Sequence, residues 1–170
     1  MKDESFWLED WLMFEQLKIK FDGKPWHEWP PEYRNRDPVA LAEIATDSSA
    51  QARFMGRWNE VREYAKSKNI SLIGDLPIFV AHDSADVWAH RDLFLLNDKG
   101  MPDVVAGVPP DYFSKKGQKW GTVLYDWDAH RKQNWRWWKE RMGRMMRLFD
   151  IVRIDHFRGC LLYTSDAADE

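Results

Sequence analysis

Asp150-Ile151-Val152-Arg153-Ile154-Asp155-His156-Phe157-Arg158-Gly159 alternates over its first half, is rich in β-branched residues, and ends in a crowd of ionisable groups and a glycine. The first half reads as a buried strand, and the second as that strand delivering chemistry at its C-terminal end. Side chains alternate across a strand, so Arg153 and Asp155 share one face while Val152 and Ile154 share the other. A guanidinium beside a carboxylate keeps the carboxylate ionised, which suits a nucleophile. The same spacing fits a structural ion pair at a strand end, and the dipeptide alone does not separate the two.

Upstream of this strand, Trp135, Trp138, Met142, Met145 and Phe149 step by three, four, three and four residues, which predicts a helix over about 131–149. Its many Arg and Lys residues read as a solvated face. A second strand is expected over 70–80, where Ile70-Ser71-Leu72-Ile73-Gly74-Asp75-Leu76-Pro77-Ile78-Phe79-Val80 is nearly continuous in apolar residues, as in a parallel strand buried on both sides. Pro77 has no N–H for a ladder, so regular pairing should falter just past Asp75. Asp75 then stands where the strand opens into its loop, as a site carboxylate or as a loop cap. Strand, long connection, helix and strand make a βαβ crossover and an α/β fold.

The connection, residues 81 to about 130, shows little regular pattern beyond a short helix near Ala85–Trp88. Gly100, Pro102, Gly107, Pro109, Pro110, Gly117 and Gly121 shape it, with Tyr112, Phe113, Trp120, Tyr125 and Trp127 between them. A loop this long inside a compact domain is usually functional. Exposed aromatics beside a strand end would make a stacking platform or lid. His82, Asp83, Asp86 and His90 lie within nine residues but lack a Cys or third His to complete a metal set, so no metal and no cofactor is expected.

Toward the N-terminus, apolar residues at 7, 8, 11, 12, 14 and 17 predict an amphipathic helix over 5–20. The Pro- and Gly-rich stretch 21–38 reads as a connector whose Trp26 and Trp29 cap the core. Another helix is expected to start near Asp37-Pro38, with Pro tolerated in the first turn. Phe54, Trp58, Val61 and Ala65 repeat at four, three and four residues and predict a helix over 49–68.

The 170 residues are 44% hydrophobic, enough for one ordinary domain. Net charge is only −3, with 25 basic residues scattered among 28 acidic ones, so neither a nucleic-acid nor an anionic-membrane partner is implied. The single Cys160 excludes an intrachain disulfide and fits a reducing compartment. No signal peptide and no apolar run of membrane length is present, and the chain reads as cytoplasmic. Eleven Trp residues are compatible with a saccharide site, since indole faces stack on the C–H faces of sugars, though a Trp at helical spacing is more often core.

The opening segment, Val-Arg-Ile-Asp-His-Phe-Arg-Gly, closely resembles the nucleophile segment of the 4-α-glucanotransferase (amylomaltase) family, glycoside hydrolase family 77 of the α-amylase clan. Four further blocks resemble the family in its order: Ile73–Ala81, Asp83–Trp88, Val104–Ser114 and Gly117–Gly121. The resemblance implies a partial (β/α)8 barrel over 1–159 that contains the third and fourth barrel strands. A complete barrel takes ~250 residues, so a piece of a larger enzyme is expected. Residues 160–170 depart from the family pattern and are expected to be poorly ordered. By the same resemblance Asp155 is the catalytic nucleophile. Asp75, Tyr112, Phe113, Trp120, Arg153 and His156 are substrate-binding. The substrates are α-1,4-glucans and glucose, and the reaction is retaining transfer through a covalent glucosyl-Asp. A related α-glucan hydrolase and a non-catalytic glucan-binding module are the alternatives. The family's acid/base glutamate has no counterpart in these residues, so the chain alone is expected to be inactive.

Overall fold

A computed structural model describes residues 4–108, 110, 112 and 114–155. Among the described residues seven helices and four strands run in the order α1 (Ser5–Lys20), α2 (Pro31–Arg34), α3 (Pro38–Ala42), α4 (Ser49–Ser67), β1 (Ile73–Pro77), α5 (Ala85–Ala89), β2 (Val105–Val108), β3 (Gln118–Val123), α6 (Trp127–Lys132), α7 (Arg136–Leu148) and β4 (Ile151–Asp155). Short 3-10 turns lie at Trp26–Glu28 and Arg91–Leu93. The architecture is mixed α/β, as expected.

β1 and β4 pair in parallel, with Ile73 opposite Ile151, Asp75 opposite Arg153 and Pro77 opposite Asp155. The register is set where the strands begin. The Asp150 backbone N–H donates to the Leu72 carbonyl at 3.0 Å, and the Leu72 N–H donates to the Asp150 carboxylate at 2.9 Å. α7 packs against both strands. Its last carbonyls are capped from α4, by the Trp58 indole N–H on Leu148 O at 3.1 Å and by Arg62 on Arg147 O at 2.7 Å.

Two expectations about these strands need correction. β1 is shorter than the apolar run and is not buried on both sides: Gly74 and Leu76 are buried, whereas Ile73, Asp75 and Pro77 are exposed. One face packs so closely on Phe149 that a Cβ on Gly74 would lie 2.2 Å from its ring, while the other face is open. Pairing also runs on to Pro77, because a Pro removes one donor without forbidding strand geometry.

The core is built of interlocked rings. Trp26, Trp29 and Trp88 are essentially inaccessible, with Phe14 5.4 Å from Trp29 and 6.0 Å from Trp88 by ring centroid. Each of these three indole N–H groups finds a carbonyl: Trp26 on His82 O, Trp29 on Lys24 O and Trp88 on Tyr33 O, at 2.7, 2.9 and 3.0 Å. Much of the tryptophan content is therefore core. α3 starts at Pro38, where Asp37 accepts from the N–H groups of Val39 and Ala40.

The helix read as one piece over 131–149 is two. α6 ends at Lys132, Asn134 and Trp135 take left-handed φ of 54° and 59°, and α7 starts at Arg136. The break lets Trp137, rather than Trp135, become the buried residue of α7. Residues 81–130 hold more structure than their composition suggests, because β2 and β3 form an antiparallel hairpin. Gly107 is required there, since a Cβ would stand 2.8 Å from the Gln118 carbonyl oxygen.

Candidate active site

Alternation along β1 and β4 puts Asp75, Arg153 and Asp155 on one face of the strand pair, toward the carboxyl ends. Arg153 donates through Nε to Asp75 Oδ1 at 3.0 Å and through Nη2 to Asp75 Oδ2, a bidentate pair. Asp155 Oδ1 stands 4.0 Å from the same Nη2. The guanidinium thus serves Asp75 first and Asp155 second, and the two carboxylates push the Arg153 pKa up. Sequence reasoning paired Arg153 with Asp155 alone. It could not see that a cross-strand partner in register lies nearer than a residue two positions along the same strand.

The aromatic loop is carried by the β2–β3 hairpin. Trp120, half-buried on β3, meets the Phe79 ring edge to face at 6.1 Å and donates its indole N–H to Gln118 Oε1 at 3.1 Å. Phe79 lies two residues past the end of β1, so Trp120 is tied to the strand that carries Asp75. Tyr112 at the hairpin tip is 97% exposed. Phe113 and His156, also expected at the site, lie outside the described residues, as does the 160–170 tail.

In the His82 to His90 cluster, His82 and Asp83 are held in structural bonds. His82 Nε2 lies 2.6 Å from Gly100 O, and Asp83 accepts from Lys18 Nζ at 2.7 Å and from the Trp26 N–H at 3.1 Å. Among the described residues no group of three or more His, Cys, Asp or Glu is placed to hold a metal ion, and no helix is long and apolar enough to cross a membrane. Behind the site, a cavity of ≈ 270 Å³ is walled by α1, α5, α7 and the end of β1, with Asp86, Pro77 and Arg141 among its lining residues. Arg141 was read as part of a solvated basic face. In the fold it lies over the Trp137 and Trp138 rings and donates to Pro77 O at 2.8 Å. Nothing in its helical position signals that contact.

Two carboxylates and an arginine presented at the carboxyl ends of adjacent parallel strands, beside an aromatic hairpin, are the arrangement on which α/β folds build their sites. The chain belongs to the 4-alpha-glucanotransferase family, whose sequence profile it matches over residues 1–164. It is 45% identical over 168 residues to the 4-alpha-glucanotransferase of Thermus thermophilus, covering 94% of this chain and 34% of that protein. Against the chloroplastic/amyloplastic 4-alpha-glucanotransferase of Solanum tuberosum, identity is 46% over 163 residues, covering 91% of this chain and 28% of that one. Among solved structures, the amylomaltase of Streptococcus agalactiae in complex with acarbose superposes with a TM-score of 0.81 at 36% identity, over 92% of this chain and 33% of that one. The chain spans about a third of the length of these relatives.

Proposed function

We propose that this chain carries the nucleophile side of a retaining 4-α-glucanotransferase site, with β1 and β4 as the third and fourth strands of an eight-stranded barrel. The observation that carries the reading is the register that sets Asp75 opposite Arg153, with Asp155 two residues farther along the same open face. The Asp155 carboxylate attacks the anomeric carbon of an α-1,4-glucan. The C1–O bond to the leaving chain breaks, a general acid protonates that oxygen, and a glucosyl ester forms on Asp155. A hydroxyl of an acceptor glucan or glucose then displaces the ester, giving its proton to the same acid/base group.

Arg153 orients the two carboxylates, and Asp75 receives sugar hydroxyls at the cleavage point. Tyr112, Phe113 and Trp120 offer faces on which glucose rings stack, and His156 adds a polar contact. Acarbose in the related amylomaltase supports α-glucan as the substrate class. The retaining reaction needs a second carboxyl as acid/base, for which these 170 residues hold no counterpart, so the chain alone binds glucan without turning it over. Cytoplasmic localisation is part of the proposal, whereas the Solanum tuberosum relative is chloroplastic/amyloplastic.

The test replaces the matching segment of the Thermus thermophilus relative with this chain and incubates the hybrid with maltotriose. A ladder of longer maltooligosaccharides plus glucose is expected, with Asp155→Asn lowering turnover by about 10³-fold or more while acarbose still binds. Glucose and maltose without longer products would replace the transferase reading with a hydrolase. Full transfer by Asp155→Asn would remove Asp155 from the nucleophile role.

A further inference from the structure

β1 ends in an unusual way. Pro77, its last residue, brings no N–H to the ladder, and its carbonyl accepts from Arg141 Nη2 of α7 at 2.8 Å. The next carbonyl, that of Ile78, accepts from the Tyr125 hydroxyl at 2.5 Å. The two donors neighbour each other, with Arg141 Nη1 3.5 Å from Tyr125 Oη. The guanidinium is held over the Trp137 and Trp138 rings at 5.1 and 5.3 Å. Tyr125 is buried and stacks on Phe79 at 6.3 Å, the ring that also meets Trp120.

Three parts of the site therefore meet at one joint: the end of β1, the helix that leads into β4, and the aromatic hairpin. Pro77 lies opposite Asp155, and Asp75 is two residues back on the same face. The cavity of ≈ 270 Å³ beside Pro77 and Arg141 gives water room to replace the guanidinium on the carbonyl. Removing Arg141 thus leaves the carbonyl satisfied but untied from α7. What is lost is the placement of the strand end, and a displacement of ~1 Å in a reacting group costs on the order of 10²-fold in rate.

We propose that Arg141, together with Tyr125, is a positioning residue that fixes the carboxyl end of β1 and through it the Asp75–Arg153 pair, an inference that takes its catalytic meaning from the function proposed above. The test uses the 170-residue chain and its Arg141→Ala, Arg141→Lys and Tyr125→Phe variants. NMR follows the Pro77 and Ile78 carbonyl carbons and the hydrogen exchange of the Arg153 Nε–H that bonds Asp75. Acarbose affinity and melting temperature are measured alongside.

Arg141→Ala is expected to shift the Pro77 carbonyl signal and to speed Arg153 Nε–H exchange by about tenfold, with acarbose affinity falling by a similar factor. Arg141→Lys should recover part of both effects, and Tyr125→Phe should shift the Ile78 signal. A lower melting temperature with Arg153 exchange unchanged, measured well below the melt, would make Arg141 a stability residue and overturn the proposal. If Arg141→Ala does not fold, the Lys and Phe variants carry the same readouts. A wild-type chain that binds no acarbose would count against the functional reading, whereas Arg153 exchange would still decide the clamp.

Discussion

Arg153 has two carboxylates to choose from, and geometry chooses Asp75. Cross-strand partners stand about 5 Å apart, whereas residues i and i+2 on one strand are separated by nearly 7 Å, so a guanidinium in register reaches across before it reaches along. His130 is the opposite kind of ionisable group. It is fully buried against Tyr125, Trp127 and Trp137, with ring centroids at 5.3, 5.6 and 5.8 Å. Burial pushes its pKa below the ordinary 6.5, only partly countered by the Leu93 carbonyl and the Asp126 and Asp92 carboxylates, while His90 pushes it further down. The unfolded chain therefore binds a proton near pH 6.5 that the folded chain refuses. Stability is full above that pH and declines as the pH falls below it. Asp86 has the reverse sign: burial raises its pKa above 3.8, so stability is greatest at low pH and declines as the carboxyl ionises. Denaturant titrations from pH 4 to 8 should show the acid-side loss disappear in His130→Gln and the opposing slope disappear in Asp86→Asn. A pH profile unchanged by either substitution would mean that neither group titrates differently on folding.

The β2–β3 hairpin depends on Gly107 more than on Gly121. A Cβ at 107 would meet the Gln118 backbone at 2.8 Å, next to the register shift between Val105 and Gly107, and a backbone atom cannot swing aside. Gly121 has φ of +73° with open space around its Cβ position, so alanine there meets only conformational strain. Gly107→Ala should cost about 1–3 kcal/mol and change the near-UV signal of Trp120, whereas Gly121→Ala should cost about 1 kcal/mol and leave that signal in place. Equal costs in urea melts would show that the hairpin tolerates a shifted register. Sequence patterning missed this hairpin because β2 has four residues, its ladder is irregular, and Gly and Pro interrupt the alternation around it. It caught β4 by its alternation and placed β1 by its apolar run, although β1 is shorter and more exposed than that run implies. The split between α6 and α7 escaped because the apolar spacing runs through Asn134 and Trp135, and only backbone geometry records their positive φ. The stripe Phe54, Trp58, Val61 and Ala65 correctly foretold α4. A stripe announces that a partner exists without naming it: Ala65 is buried here while Phe54 and Val61 are exposed.

Parallel strands are normally buried on both faces and paired on both edges, yet among the described residues β1 and β4 pair only with each other and leave one face open. That face is not uniformly polar. Ile73 and Ile151, opposite one another at the amino ends, are 65% and 51% exposed, whereas Asp75, Arg153 and Asp155 occupy the carboxyl ends. An apolar floor beneath an ionic rim is what the interior of a closed barrel presents, and burying each isoleucine would contribute about 1.5–3 kcal/mol. The chain, about a third the length of its relatives, should therefore behave differently by itself and inside the hybrid with the Thermus thermophilus protein. In the isolated chain, Ile73→Lys and Ile151→Lys should lower dye binding and reduce self-association in sedimentation experiments at micromolar concentration, because they remove exposed apolar surface and protect an open sheet. In the hybrid the same substitutions should lower the melting temperature and abolish maltotriose transfer, because in the barrel proposed above each would place an unpaired ammonium in the packed interior. A hybrid that tolerates both lysines would show that this face looks to solvent in the longer protein. The carboxylates on it would then lack the enclosed, water-poor setting that glucan transfer to an acceptor hydroxyl requires.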